Sequence, residues 1–488
     1  MRILAVDRIP QALVIAGLLL LDLGAANAAI PTARITIDTQ TRYQTIDGFG
    51  VSQAFQRARQ ILPQNNSTLL SPEQSTQVLD LLFSSTHGAG LSILRNGIGS
   101  SPSYALDWMK SILPSSPGTP GSTPNYEWDG DDAGQVWLTK EAQKRGVATV
   151  YADAWSAPGY MKTNGQDANG GYICGVSGAE CESGDWREAY AEYLVQFLRF
   201  YKEREGIEVK YLGFLNEPDL NQTYASMQSS GFQAGDFLPI LRGKLAKSEF
   251  RGVRIVCCEA TGWTTGAAIL AELQSVPGAE DALHVYAAHG YSTPPAFRLD
   301  TTKPVWQTEW ADLNGRWNTA WDNLGKDGEG ISWANKIQNA LTLSNVSAFF
   351  YWIGAERGPN NSPLIRVQNG TVEASKRLWA FGHFGRFVKP GAVRVEARCD
   401  VGYVSISAFE NVDGGIALVL VNNGHLDVHM EVKIGGLRGN GSSVTPWVTD
   451  NLNELTQLES IPVVGGDDKG VGFAATVLKR SMVSFVVK

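Results

Sequence analysis

From Ile46 to about Arg386, short apolar runs alternate with longer segments whose apolar residues recur at helical spacing. That rhythm is the signature of parallel βα units. The runs that read as strands are Gly48–Ser52, Leu91–Asn96, Thr149–Trp155, Tyr211–Glu217, Arg254–Glu259, Leu283–His289, Val305–Glu309 and Ala348–Trp352. Eight such strands are the number that closes a (β/α)8 TIM barrel, so the fold class is α/β. Helix starts are legible between them. Ser71-Pro72-Glu73-Gln74 has an N-cap serine, a proline at the first helical position and a capping-box glutamine. Asp185 with Glu188 reads as a second capping box, and Gly206 suits the end of the helix it opens. Trp186, Tyr190, Tyr193, Leu194, Phe197, Leu198 and Tyr201 form one stripe along that helix, a buried face rather than a ligand site.

After Val393 the period changes to two. Tyr403–Ser407 alternates, Ile416–Val421 is continuously apolar, and His429–Ile434 and Met482–Val487 add further strands. This is a β domain of roughly a hundred residues, which the strand Ala33–Asp38 is expected to join. The expected division is 1–28 as an export signal, 29–45 as the N-terminal strand of the β domain, 46–386 as the barrel and 387–488 as the β domain.

The first residues follow a different logic. Met1-Arg2 and Arg8 supply positive charge, Ala12–Leu21 is a short apolar run, and Ala26-Asn27-Ala28 is a small-x-small cleavage site. These are the parts of a secretory signal. A membrane anchor is the alternative, but the run is short for a bilayer and Asp22 follows it. With a net charge of −8 and no basic stripe, nucleic acid is excluded as an expected partner, and no membrane is expected because no later stretch is apolar enough to span one. A secreted, extracellular monomer is the expectation. Cys174 and Cys181 flank a Gly-rich loop that they can close in an oxidising compartment. Cys257 and Cys258 lie in an apolar strand, which suggests a buried thiol, and Cys399 stands alone. Neither the cysteines nor the six histidines have metal-site spacing, so no metal and no cofactor are expected. Sequons at Asn65, Asn66, Asn221, Asn345, Asn360, Asn369 and Asn440 accord with export.

Catalytic groups of a TIM barrel stand at the C-terminal ends of its strands. Strand four ends in Asn216-Glu217-Pro218 and strand seven in Gln307-Thr308-Glu309-Trp310. Such glutamates can be structural acids that cap helices. Strands four and seven, however, face each other across the barrel mouth, and glycosidic hydrolysis needs two carboxyl groups across the scissile bond. Glu217 is the candidate acid/base and Glu309 the candidate nucleophile. Asn216 can reach a sugar 2-hydroxyl, and Arg95, ending strand two, can hold the nucleophile ionised. Trp155 and Trp352 can wall a sugar subsite. His289 and Tyr291 end strand six, where Tyr291 can bond the nucleophile. For each of these the alternative is packing at the barrel rim.

Gly48-Phe49-Gly50, Leu94-Arg95-Asn96, Trp155-Ser156-Ala157-Pro158, Asn216-Glu217-Pro218 and Gln307-Thr308-Glu309 together resemble glycoside hydrolase family 30 over nearly the whole mature chain. The resemblance implies a retaining enzyme, with a (β/α)8 barrel fused to a side β-sandwich built from both chain ends. The segment from Gly48 to Ala58 looks most like fungal subfamily 7, which acts on glucuronoxylan. It implies that Arg57 binds the glucuronic acid branch, since a guanidinium fork matches a carboxylate. The alternatives are a solvated Arg57, a role for Arg59, or Arg357 in the loop after strand eight, where Glu356 argues against an anion site. The expected substrate is xylan or glucuronoxylan. The rivals are a β-1,6-glucanase or β-1,6-galactanase of the same family, and a carbohydrate-binding protein without turnover. Endo or exo action stays open, with Ser111–Gly134 and the Cys174–Cys181 loop the expected blockers of far subsites. Asn221, so close after Glu217, is expected to carry no glycan.

Overall fold

The computed structural model describes residues 30–63, 70–105, 108–436, 443–465 and 470–487. The expected export signal and the sequons at Asn65, Asn66 and Asn440 lie outside these residues. Eight parallel strands close into a barrel: Gly48–Ser52, Ile93–Ile98, Thr149–Ala154, Tyr211–Gly213, Arg254–Ala260, Val285–Ala288, Val305–Gln307 and Ala348–Glu356, the last pairing with both the first and the seventh. Nearly every residue of these strands is buried, because helices cover the outside and side chains fill the inside. Tyr151, Tyr211, Trp306 and Phe350 fill the lower interior.

Strand four pairs over a shorter stretch than its apolar run suggests. Pairing ends at Gly213, whose missing side chain leaves room for the Asp153 carboxylate, and Phe214–Glu217 continue unpaired to the barrel mouth. The helix Pro72–Phe83 has the expected capping box on Ser71 and Gln74. The helix Arg187–Arg199 does not have the one expected of Asp185 and Glu188. Asp185 accepts from the Arg187 amide and pairs with its guanidinium, while Glu188 turns to Lys244. A second capping box does occur, on Ser230 and Gln233 at the helix Gly231–Ala246. The aromatic stripe from Trp186 to Tyr201 is buried throughout.

The other sheet draws on both chain ends. Thr32–Thr45, longer than expected and bulged after Asp38, lies between Val393–Cys399 and Val428–Gly435. Its alternating burial seats Ala33, Ile35 and Ile37 in the sandwich core with Leu418, Leu420, Val432 and Phe485. The continuous run Ile416–Asn422 is buried on both faces. Leu418 and Leu420 enter the sandwich core, and Ala417, Val419 and Val421 join the core of the barrel. Cys174 and Cys181 form a disulfide. Cys257 and Cys258 are also bonded to each other, across a cis peptide, so the buried thiol expected there does not exist.

Candidate active site

The two glutamates meet at the mouth of the barrel. Glu217 is 8% exposed and Glu309 5%. One carboxylate oxygen of each, together with a ring nitrogen of His289, lies within 4.8 Å of the others. The backbone is tied tightly to achieve this. Glu217 has a left-handed φ of 47°, unusual for a residue with a side chain. Its N–H donates to the Glu259 carbonyl (2.9 Å), and the Asp219 carboxylate accepts from the Thr261 amide and hydroxyl. On the opposite side the Gly290 N–H donates to the Glu309 carbonyl (3.1 Å). A side chain at Gly290 would run into the Trp310 indole.

Behind the glutamates lies a buried charge network. Arg95 donates through Nη1 to Glu309 (2.6 Å) and through Nη2 to Asp153 (2.7 Å), Asn216 (2.6 Å) and Glu259 (3.2 Å). His289 contacts Glu217 through Nδ1 (3.1 Å) and Glu259 through Nε2 (2.7 Å). The Tyr291 hydroxyl donates to Glu309 (3.0 Å) and that of Tyr224 to Glu217 (3.4 Å). Burial penalises the Glu259 carboxylate, but Arg95, His289 and the Thr308 hydroxyl outweigh it and hold its pKa at about 2. Burial pushes Glu309 above the usual range. His289 and Arg95 pull it back, the Glu217 charge pushes it up again, and the net shift is upward. Asp153 is raised well above the carboxylate range by burial, against the pull of Arg95.

In front opens a cleft of about 920 Å³. Phe55, Trp155, Tyr224, Tyr291, Trp310 and Trp352 supply apolar faces, and Glu217 and Glu309 lie in its floor. The Arg95 guanidinium stacks under Trp155 at 4.4 Å, and the Trp155 and Trp352 rings are 6.0 Å apart.

The barrel region matches the model of glycosyl hydrolase family 59 over residues 64–375, and the second domain matches the glycosyl hydrolase family 30 beta sandwich domain over 391–485. The catalytic domain of GH30 xylanase C from Talaromyces cellulolyticus is 40% identical, with a TM-score of 0.84, covering 93% of this chain and 100% of that one. The chain belongs to glycoside hydrolase family 30. Glucuronoxylanase XynC of Bacillus subtilis (strain 168) is 25% identical over 363 residues, 72% of this chain and 77% of the bacterial protein. Endo-1,6-beta-D-glucanase neg1 of Aspergillus fumigatus is 24% identical over 467 residues, 87% of this chain and 90% of the fungal one.

In this family 30 glycoside hydrolase Arg57 lines the cleft, with Nε on Glu356 (2.9 Å) and Nη1 on the Phe55 carbonyl (2.7 Å). Arg357 is exposed on the neighbouring loop and absent from the cleft lining, and Arg59 pairs with Asp131. Trp155, Tyr291 and Trp352 line the cleft as well. Asn216, Arg95 and His289 stand behind it, buried and bonded to one another or to carboxylates. Neither Ser111–Gly134 nor the Cys174–Cys181 loop contributes a described residue to the lining; Trp108 does. Glu259, Asp153, Tyr151, Thr308 and Tyr224 belong to the site without having been singled out by the sequence reading. Glu259 was visible as the last residue of a predicted strand, but nothing around it marks it as more than that.

Proposed function

We propose that this enzyme hydrolyses β-1,4-xylosidic bonds in xylan and glucuronoxylan by a retaining double displacement. The observation that carries the mechanism is the approach of the Glu217 and Glu309 oxygens to within 4.8 Å. Retaining glycosidases hold their carboxyl groups roughly 5 Å apart, and inverting ones leave a wider gap for a water. Glu309 is the nucleophile: Arg95 and Tyr291 each bond one of its oxygens, and Arg95 with His289 offsets part of the upward push of burial on its pKa. Glu217 is the acid/base and protonates the leaving oxygen as Glu309 attacks the anomeric carbon. In the second half it takes a proton from the water that releases the glycosyl ester. Asn216, fixed through its carbonyl oxygen by Arg95, keeps its amide nitrogen for a sugar hydroxyl.

Xylan is the substrate best supported, because the relative at 40% identity over its whole catalytic domain carries the name xylanase. Arg57 is the group for a glucuronate branch. Glu356 already pairs with it, so the branch carboxylate competes with a built-in partner. The second reading is a β-1,6-glucanase, favoured by the fungal relative of that name. Product analysis on glucuronoxylan and on β-1,6-glucan separates the two. Acidic xylo-oligosaccharides with no cleavage of the glucan are expected, and the reverse pattern would overturn the xylan assignment. Action outside the cell suits a polymeric substrate, and no helix among the described residues is long and apolar enough to cross a membrane.

A further inference from the structure

The buried carboxylate of Glu259 is not accounted for by the two-glutamate chemistry. It is wholly buried and absent from the cleft lining. Yet it accepts four side-chain hydrogen bonds. Tyr151 reaches Oε1 at 2.6 Å, and Thr308 (2.5 Å), His289 Nε2 (2.7 Å) and Arg95 (3.2 Å) reach Oε2. Each of the two cations it holds touches one working glutamate with another nitrogen: Arg95 touches Glu309 and His289 touches Glu217.

We propose that Glu259 is a positioning residue that holds His289 with both ring nitrogens protonated and so fixes which oxygen of Glu217 carries the transferable proton. This rests on the reading of Glu217 as acid/base.

A neutral imidazole ring has one N–H and one bare nitrogen. An ionised Glu259 at Nε2 requires an N–H there, and Oε1 of Glu217 accepts from a second N–H at Nδ1, both when Glu217 is a carboxylate and when its proton sits on Oε2. Both together make His289 an imidazolium. Its charged surroundings accord with this: Glu309 is 3.9 Å from Nε2, and Arg95, with Asp153 on its far side, shares Glu259 with the ring. Tyr291 lies edge-on at 6.0 Å. Burial pushes the His289 pKa down, but Glu309, Glu217 and Glu259 override it and raise it to about 10.

The consequence falls on Glu217. Its Oε1 faces the Nδ1–H donor, so in the acid form Oε1 is the acceptor and the proton sits on Oε2, beside the Tyr224 hydroxyl in the cleft. In the first step the Oε2–H bond breaks and its proton joins the glycosidic oxygen. The bond from that oxygen to the anomeric carbon breaks as the Glu309 ester forms. Glu217 is left as a carboxylate bonded to the imidazolium. In the second step Oε2 takes a proton from the attacking water and the ester to Glu309 breaks. A neutral His289 with its single N–H at Nε2 would instead turn a bare Nδ1 towards Glu217 and draw the proton away from the leaving group.

The test follows the ring nitrogens of His289 by NMR in the full-length enzyme with isotope-labelled histidine, assigned by the signal missing in H289N. In the wild type both nitrogens are expected to stay protonated up to pH 9. In E259Q the ring is expected to titrate below pH 8. The kcat should fall by at least about tenfold and KM should stay within about twofold, since Glu259 touches no substrate. E259D, which keeps the charge, should recover part of both signals. A wild-type His289 that titrates near 6.5 like a free imidazole would overturn the proposal, even if E259Q did not fold. So would an E259Q enzyme with unchanged His289 protonation. Failure of the acid/base reading has a separate sign: E217Q would keep full kcat while His289 stayed protonated.

Discussion

Single side chains set the chemistry. Replacing Glu217 by Gln should lower kcat by about 10² to 10⁴, the usual worth of a general acid, while Glu309→Ala should leave no measurable turnover. Initial rates on a soluble xylan check both, and a Glu309→Ala variant with activity intact would remove the mechanism. Glu309 also predicts a pH limb. Its pKa is raised by burial, only partly offset by His289 and Arg95, and attack needs the ionised form. Activity should therefore be lost, as pH falls, at a point above the ordinary glutamate value of about 4.3. The pH dependence of kcat/KM reads this directly, and a limb at or below that value would contradict it. His289 also makes stability depend on pH. Its folded pKa of about 10 lies above the free value, so its contribution is complete below about 6.5 and declines as pH rises through 10. Much at this scale was legible in the sequence. Asn216-Glu217-Pro218 and Glu309 stood out because each ends an apolar run with an acid. Glu259 did not, because only the fold shows that Arg95 and His289 converge on it.

Elements decide whether those residues are held. The barrel strands were readable because parallel strands buried on both faces leave continuous apolar runs. Their ends were less so. Strand four stops pairing at Gly213, where a larger side chain would collide with Asp153. The capping pattern of Asp185 and Glu188 misled for a local reason: Arg187, lying between them, takes the aspartate for itself. The turn after strand six is tightly packed. Gly290→Ala would place a methyl group against the Trp310 indole, beside Glu309, and that ring is backed by Trp333 and Phe349. A loss of about 1–3 kcal/mol in stability is expected from such overpacking, together with a lower kcat. Denaturant unfolding and steady-state rates measure the two. The Ser71 cap is a milder case, and its alanine variant should lose about 1 kcal/mol.

At the scale of the whole molecule the two domains share a core. The strand Ile416–Asn422 gives alternate side chains to the sandwich and to the barrel, which is why its sequence lacks the alternation of its neighbours. The Arg480–Asp322 ion pair and the His383–Ser484 hydrogen bond add polar ties across the same junction. Heating should therefore unfold the protein in one calorimetric transition. Two well-separated transitions would mean that the domains are independent. The proposed double displacement works between two glutamates whose oxygens lie within 4.8 Å of each other. The most direct test is proton NMR of the first product released from a xylo-oligosaccharide, before mutarotation. A double displacement releases the β-anomer first, which is the expected result; early appearance of the α-anomer would mean a single inverting displacement and rule it out.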